Sequence, residues 1–73
     1  MNNLYILDNN LKTIARCDTN HLETVKTNKD HTLIYFDNPQ RCMLMKKRIP
    51  NCLVSADDIL IIDNNTYKIL INF

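Results

Sequence analysis

The sequence predicts a mostly β fold, a small antiparallel barrel or sandwich built on two β-hairpins. The spacing of the predicted strands favours this class, and the chain length favours a single domain. Short runs rich in β-branched and aromatic residues are separated by clusters of Asn and Asp, which gives about five to seven short strands. The chain has 73 residues, of which 45% are hydrophobic, so its core offsets the conformational entropy of folding only narrowly. We expect residues 1–73 to form a single small β domain.

The C-terminal stretch is the richest in apolar and β-branched residues and predicts the main hairpin. Residues 59–62 and 67–73 are extended segments on either side of an Asp-Asn-Asn sequence at 63–65. Asn tolerates the positive φ of a tight turn, and Asn or Asp must fill such positions because the chain has no glycine.

The two strands of this hairpin differ in their patterning. The first strand, residues 59–62, is apolar on both faces, which is typical of an interior strand. The second alternates, so we expect one buried face, formed by Tyr67, Ile69, Ile71 and Phe73. Two registers remain open, since a two-residue turn pairs Ile62 with Tyr67 and a three-residue loop pairs Ile61 with Tyr67.

The N-terminal residues predict a second hairpin. Residues 4–7 and 11–16 are joined by Asp-Asn-Asn at 8–10, the same turn sequence as in the C-terminal stretch. The segment that follows is ambiguous. Asn20 with Glu23 resembles a capping box that opens a helical turn, while residues 21–26 alternate like an exposed edge strand. We favour the strand, with a turn at 27–30 leading into a further strand at 31–36.

Residues 39–48 predict one short helix. Asn38 is a good N-cap, and Pro39 suits the first helical position because its missing N–H costs nothing there. The basic residues 46–48 would lie favourably at the negative end of the helix dipole, and Pro50 would end the helix. The alternative is a strand at 42–45, because that apolar run has no clean helical stripe. A short apolar piece at 52–54 and a turn at 55–58 complete the chain.

Composition limits the classes of partner. The net charge of +1 gives no global field that would attract nucleic acid or an anionic membrane. No apolar run approaches the roughly 20 residues that span a bilayer, and the N-terminus has no secretory-signal pattern. We therefore expect a soluble protein in the cytoplasm of a host cell, with no membrane contact.

Metal binding and catalysis are not expected. Three cysteines, an odd number, fit free thiols better than disulfides, and the spacing of the potential zinc ligands is wrong for a structural site except at Cys17 and His21. Cys17 with His21 or His31 is the only conceivable nucleophile and base. Asp57 and Asp58 are adjacent in an extended stretch and would face opposite ways. We predict no enzyme, metal or cofactor.

A basic cluster is the one local charge feature, and we predict that it binds a partner. A solvated helix end is the alternative interpretation. The predicted contact residues are Arg41, Lys46, Lys47 and Arg48, with Lys26 and Lys29 near them.

The hairpin sequence at 4–15, followed by Asp18 and by Leu33-Ile34-Tyr35-Phe36, resembles the first strands of tail-hub proteins of siphophages that infect Gram-positive bacteria. The resemblance covers about half of the chain. It implies a phage or mobile-element origin and assigns no functional residue.

The small size, the balanced charge and the lack of a catalytic constellation favour a small non-catalytic protein-binding module. Its character would be that of a phage or mobile-element inhibitor of a host enzyme or defence complex, such as an anti-CRISPR-type protein. The partner would be a host protein or protein complex, and the module would be a monomer or homodimer. Two alternatives remain: a small barrel that binds single-stranded nucleic acid, and a small structural subunit of a phage tail.

Overall fold

The structure is a computed structural model that describes residues 2–72, which contain seven strands, one α-helix and one 3₁₀ turn. The elements in chain order are β1 (Asn3–Leu7), β2 (Thr13–Asp18), the 3₁₀ turn (Thr19–His21), β3 (Leu22–Thr27), β4 (His31–Phe36), α1 (Pro39–Arg48), β5 (Leu53–Val54), β6 (Ile59–Asp63) and β7 (Lys68–Asn72).

The strands form two antiparallel sheets, which confirms the mostly β fold class. One sheet has the strand order β2-β1-β7 and the other has the order β3-β4-β6-β5. The two sheets are not closed into a barrel, and the arrangement fits a sandwich. The core combines side chains from both sheets and from α1. Its fully buried members are Leu4, Ile6, Ile34, Cys42, Ile49, Leu60 and Ile62.

The N-terminal hairpin is confirmed, but the positive-φ position of its turn is not held by Asn or Asp as expected. β1 pairs with β2, and the Asp8 carboxylate accepts hydrogen bonds from the backbone N–H groups of Asn10 at 2.9 Å and Lys12 at 3.0 Å. The left-handed position is held by Leu11, with φ of 64°, and not by the neighbouring Asn. At the two other positive-φ positions, Asn51 and Asp58, the expected residue types are found.

The prediction of a C-terminal hairpin is wrong, although both of its strands exist. β6 pairs with β4 and β5, and β7 pairs with β1 in the other sheet, so neither predicted register forms. The backbone N–H groups of Thr66 and Tyr67 both donate to the carbonyl oxygen of Asp63, at 3.1 and 3.0 Å, and no residue of this turn has a positive φ. Such a right-handed turn carries the chain away from β6, whose two edges are already occupied.

The patterning within these strands was predicted correctly. β6 is an interior strand, and Tyr67 is buried with Ile69 and Ile71 half-buried on the same face of the β7 segment. Phe73, the last member of that predicted face, lies outside the described residues. The second hairpin of the fold is therefore β3–β4, closed by the predicted turn at 27–30.

The segment that begins at residue 17 contains both of the alternatives that the sequence left open, a capped helical turn and an edge strand. β3 is a strand at the edge of its sheet, as expected, and it follows directly on the 3₁₀ turn. The cap of that turn is Asp18, whose carboxylate accepts from the backbone N–H of Asn20 at 2.9 Å, and not Asn20 itself. The short side chain of Asp18 reaches the free N–H groups of the following turn, which is the usual basis of capping.

The helix is confirmed, and the alternative strand at 42–45 is wrong. Asn38 caps α1 by accepting from the backbone N–H of Arg41 at 2.9 Å, and Pro39 occupies the first turn. α1 lies against β2 of one sheet and against β4, β5 and β6 of the other, so it covers one end of the sandwich with Cys42 and Met45 buried beneath it. Within residues 2–72 no helix is long and apolar enough to span a membrane.

Candidate functional site

A cavity of about 290 Å³ lies between α1 and β2. Residues at i, i+3, i+4 and i+7 share one face of a helix, and the side chains at 41, 44, 45 and 48 form such a stripe along the cavity. Strand β2 supplies the opposite wall, and the 3₁₀ turn closes one end. The lining residues are Arg41, Leu44, Met45 and Arg48 from α1, Arg16, Cys17 and Asp18 from β2, and Asn3 and His21.

Asp37 connects two of the lining side chains from the rim. One carboxylate oxygen lies 3.5 Å from Nδ1 of His21, and the other lies 3.8 Å from Nε of Arg41. The backbone N–H of Asp37 also donates to the carbonyl oxygen of His21 at 2.8 Å. These charged side chains are partly exposed, so each pair contributes less than about 1 kcal/mol to stability. They link His21 and Arg41, both of which line the cavity.

The cavity is positively charged. Three arginines and one aspartate line it, which leaves a formal charge of +2 with His21 neutral. The Nε–H of Arg41 is buried and has no hydrogen-bond acceptor among the described residues, because its distance to Asp37 is too long for a hydrogen bond. A buried donor without an acceptor is unfavourable, so the Nε–H group of Arg41 is poorly satisfied.

Cys17 and His21 meet at this cavity, as the sequence allowed, but they form no activated pair. The described residues include no hydrogen bond between the Cys17 thiol and His21, whose Nδ1 faces Asp37. Burial raises the pKa of the Cys17 thiol, and the nearby Arg41 only partly offsets it. A thiol of this kind stays protonated near neutral pH and is a poor nucleophile. His31 begins β4, roughly 20 Å of extended chain away from Asp37.

The other two cysteines lie beneath α1. Cys42 and Cys52 are buried free thiols, as predicted, and burial raises the pKa of each. The Cys52 thiol donates to the carbonyl oxygen of Ile49 at 3.2 Å. In the described part of the chain no three His, Cys, Asp or Glu residues are grouped so that they could hold a metal ion.

The structure divides the predicted basic cluster among several places. Arg41, Lys47 and Arg48 lie together on α1, with Arg41 and Arg48 at the cavity. Lys46 is half-buried, and its Nζ donates to the carbonyl oxygen of Cys52 at 3.1 Å, so its role is to hold the loop after the helix. The remaining two predicted residues, Lys26 and Lys29, belong to the β3–β4 hairpin.

Lys26 and Lys29 do not extend the helix cluster. The Lys26 ammonium lies 5.4 Å from the centroid of the Tyr35 ring, a cation–π contact on the outer face of the four-stranded sheet. Lys29 is exposed in the turn between β3 and β4, at the end of the hairpin away from Asp37 and α1.

The exposed face of α1 carries two large apolar side chains that sequence reasoning did not single out. Met43 is 45% exposed and Leu44 is 53% exposed. A shallow apolar groove lies beside them, lined also by Pro39, Gln40 and Lys47. The sequence did indicate such exposure, because residues 42–45 are all apolar and form no clean helical stripe. A short helix with apolar residues on every side must expose some of them. We call Arg41, Met43, Leu44, Lys47 and Arg48 the helix face.

A scan of protein-family models, a search of curated proteins and a search of solved structures each found no match to this chain. The resemblance to phage tail-hub proteins therefore remains a prediction from the hairpin residues.

Proposed function

We propose that this chain is a non-catalytic protein-binding module that uses the helix face to bind an acidic protein surface. The observation that carries the proposal is the pair of exposed apolar side chains, Met43 and Leu44, bordered by three cations of α1. Single exposed apolar residues are common on protein surfaces, but two neighbours beside an apolar groove form a patch suited to a partner. Met and Arg are also enriched at protein interfaces.

The helix face is preorganised for binding. α1 is capped by Asn38 and anchored by the buried Cys42 and Met45, so its exposed side chains are presented by a fixed backbone. Binding then costs little additional ordering of the chain. The apolar pair would supply burial, while Arg41, Lys47 and Arg48 would favour a carboxylate-rich partner through charge complementarity.

The proposal extends to the role that the sequence suggests, a phage or mobile-element inhibitor of a host enzyme or defence complex. Support for binding over chemistry comes from the cavity, where burial keeps the pKa of the Cys17 thiol raised and Asp37, not Cys17, faces Nδ1 of His21. The partner would be a host protein or complex, and inhibition of that partner is the assay that tests the role.

The direct test is a pull-down from a candidate host lysate in nuclease-treated and untreated halves, with quantification of one acidic partner. Leu44→Gln should weaken binding of that partner by at least about tenfold, since removal of a central apolar anchor typically costs more than 1.4 kcal/mol. Leu70→Gln is the matched control, because Leu70 is 58% exposed on β7.

A second pair of variants tests the charges. Lys47→Glu should weaken binding and flatten its salt dependence, whereas Lys68→Glu, an equal charge change on exposed β7, should not. Equal effects of the two leucine variants would contradict the helix face. Recovery lost after nuclease treatment would instead favour single-stranded nucleic acid, and a ring or stack in sedimentation would favour a structural tail subunit.

A further inference from the structure

The cavity between α1 and β2 has a composition that the helix face does not require. Arg16 of β2 lines this cavity together with Arg41 and Arg48 of α1. Three arginines from two elements thus border one space of about 290 Å³. Like charges brought together repel one another, and the two nearby carboxylates, Asp18 in the lining and Asp37 at 3.8 Å from Nε of Arg41, offset the three arginines only in part.

We propose that this cavity is a binding site for a phosphoryl group, held by Arg16, Arg41 and Arg48. The formal charge of the lining residues, three arginines against Asp18, is +2, and Asp37 at the rim reduces the local charge to +1. A phosphate monoester carries about −1.5 to −2 at neutral pH, so the charges are complementary. Guanidinium groups bind phosphate oxygens through paired N–H donors, and several of them approaching from different sides suit a tetrahedral group better than a planar carboxylate.

The unsatisfied Nε–H group of Arg41 is a second observation that supports a phosphoryl site. Its Nε–H is buried without an acceptor among residues 2–72, and Asp37, 3.8 Å away, contacts it too loosely to satisfy it. A phosphoryl group in the cavity would offer this donor an acceptor.

The dimensions of the cavity fit a small charged group. Pockets for drug-sized ligands have volumes of about 300–1,000 Å³, and this cavity, at about 290 Å³, lies just below that range. Cys17 and Met45, both buried, form the apolar part of its wall. Charged hydrogen bonds are stronger beside such a wall than in open water. His21, oriented by Asp37, adds one further polar group at the end of the cavity.

This inference goes beyond the proposed protein-binding function and is tested without a partner protein. The measurement is a titration of the ¹⁵N-labelled full chain with inorganic phosphate, at constant ionic strength maintained with sodium chloride. We expect saturable shifts of the backbone amides at 16–18 and 41–48. Acetate at the same concentrations should give clearly weaker effects, because it carries one charge and a planar group.

Two variants separate the site from general surface charge. Arg16→Gln should weaken phosphate binding by at least about tenfold, since hydrogen bonds to charged groups are the strong ones. Lys12→Gln removes an equal charge from an exposed position before β2 and should leave affinity unchanged within about twofold. The dispersed amide spectrum of each variant shows whether it is folded, and Arg48→Gln serves as a second test on a different element.

The source of the phosphoryl group is distinguished by a parallel titration with O-phosphoserine. Tighter binding of phosphoserine than of phosphate would indicate a phosphorylated side chain, and equal or weaker binding would indicate the free anion. Shifts that never saturate, an unchanged affinity in Arg16→Gln, or acetate binding as tight as phosphate would each overturn the proposal. The cavity shares Arg41, Leu44 and Arg48 with the helix face, but the titration uses no partner protein and Arg16 lies outside the helix face, so failure here is distinct from failure of partner binding.

Discussion

The hydroxyl group of Tyr67 donates a hydrogen bond to the main-chain carbonyl oxygen of Pro50. Tyr67 lies where the chain crosses from the four-stranded sheet to the three-stranded sheet, and Pro50 lies in the turn that follows α1. The bond therefore joins the crossing between the sheets to the end of the helix that covers them. Burial of Tyr67 also raises the pKa of its hydroxyl group.

Tyr67→Phe should lower the free energy of unfolding by about 1–2 kcal/mol, because it leaves the Pro50 carbonyl without its donor while keeping the ring. Urea denaturation measures the loss. Tyr5→Phe is the control, since Tyr5 lies half-buried on β1 and should tolerate the change within about 0.5 kcal/mol. Equal losses in the two variants would show that the bond to Pro50 contributes nothing specific.

Leu11→Gly should stabilise the protein. Leu11 has a φ of 64° and is 63% exposed, so it strains the backbone while burying little apolar surface. A side chain in the left-handed region costs about 1–2 kcal/mol, and glycine removes that cost at the expense of about 0.5–1 kcal/mol of chain entropy. We expect a net gain of roughly 0.5–1 kcal/mol in thermal or urea unfolding. Leu11→Ala keeps the Cβ atom and should give no gain.

Asn64→Ala should destabilise the fold because Asn64 joins two turns. Its side chain accepts from the Thr32 hydroxyl at 2.6 Å and donates to the carbonyl oxygen of Asn28 at 2.9 Å. Loss of both bonds should cost about 1–3 kcal/mol in urea denaturation. Asn65→Ala, at the exposed neighbouring position, should cost less than about 0.5 kcal/mol. A similar cost for both would contradict a role for the link between the turns.

Stability should fall in alkaline solution. Burial raises the pKa values of Cys17, Cys42, Cys52 and Tyr67 in the folded state, so the unfolded chain loses these protons first. The unfolded state then binds fewer protons, and the free energy of unfolding decreases as the pH rises. The decrease should begin near the ordinary thiol pKa of about 8.5 and continue through that of tyrosine at about 10.

Urea midpoints measured at pH 7, 9 and 10 would follow this loss. Cys17→Ala removes one of the buried thiols and should give a shallower dependence on pH than the unchanged chain. A midpoint that stays constant from pH 7 to pH 10, with or without Cys17, would show that the buried thiols do not resist ionisation.

Much of the fold could be predicted because its signals are local. Asn38 and Pro39 mark the start of α1 through the geometry of the first helical turn, and Asp8 closes the first hairpin through its own carboxylate. The alternation of Tyr67, Ile69 and Ile71 predicted the buried face of β7 correctly, since that pattern follows from the pleat whichever strand is its neighbour.

The candidate site was only partly predictable. Arg41, Lys47 and Arg48 stand close in sequence and on one helix, so their proximity followed from helical spacing. Arg16 could not be added, because its place in the same cavity as Arg41 depends on α1 packing against β2, a contact between distant parts of the chain. Lys46 was predicted to contact a partner, and in the fold its Nζ donates to the carbonyl oxygen of Cys52 in the loop after the helix, a contact that helical spacing does not reveal.

The sequence alone determined the strands, the helix, its cap and the burial of alternating residues, because these depend on interactions over a few residues. Only the tertiary structure decided the partners of β6 and β7. Ile59–Asp63 and Lys68–Asn72 are neighbours in sequence, yet they belong to different sheets. The physical reason is competition: β4 and β5 occupy both edges of β6, while β1 offers β7 an edge with matching apolar residues, so long-range pairing overrides the local hairpin.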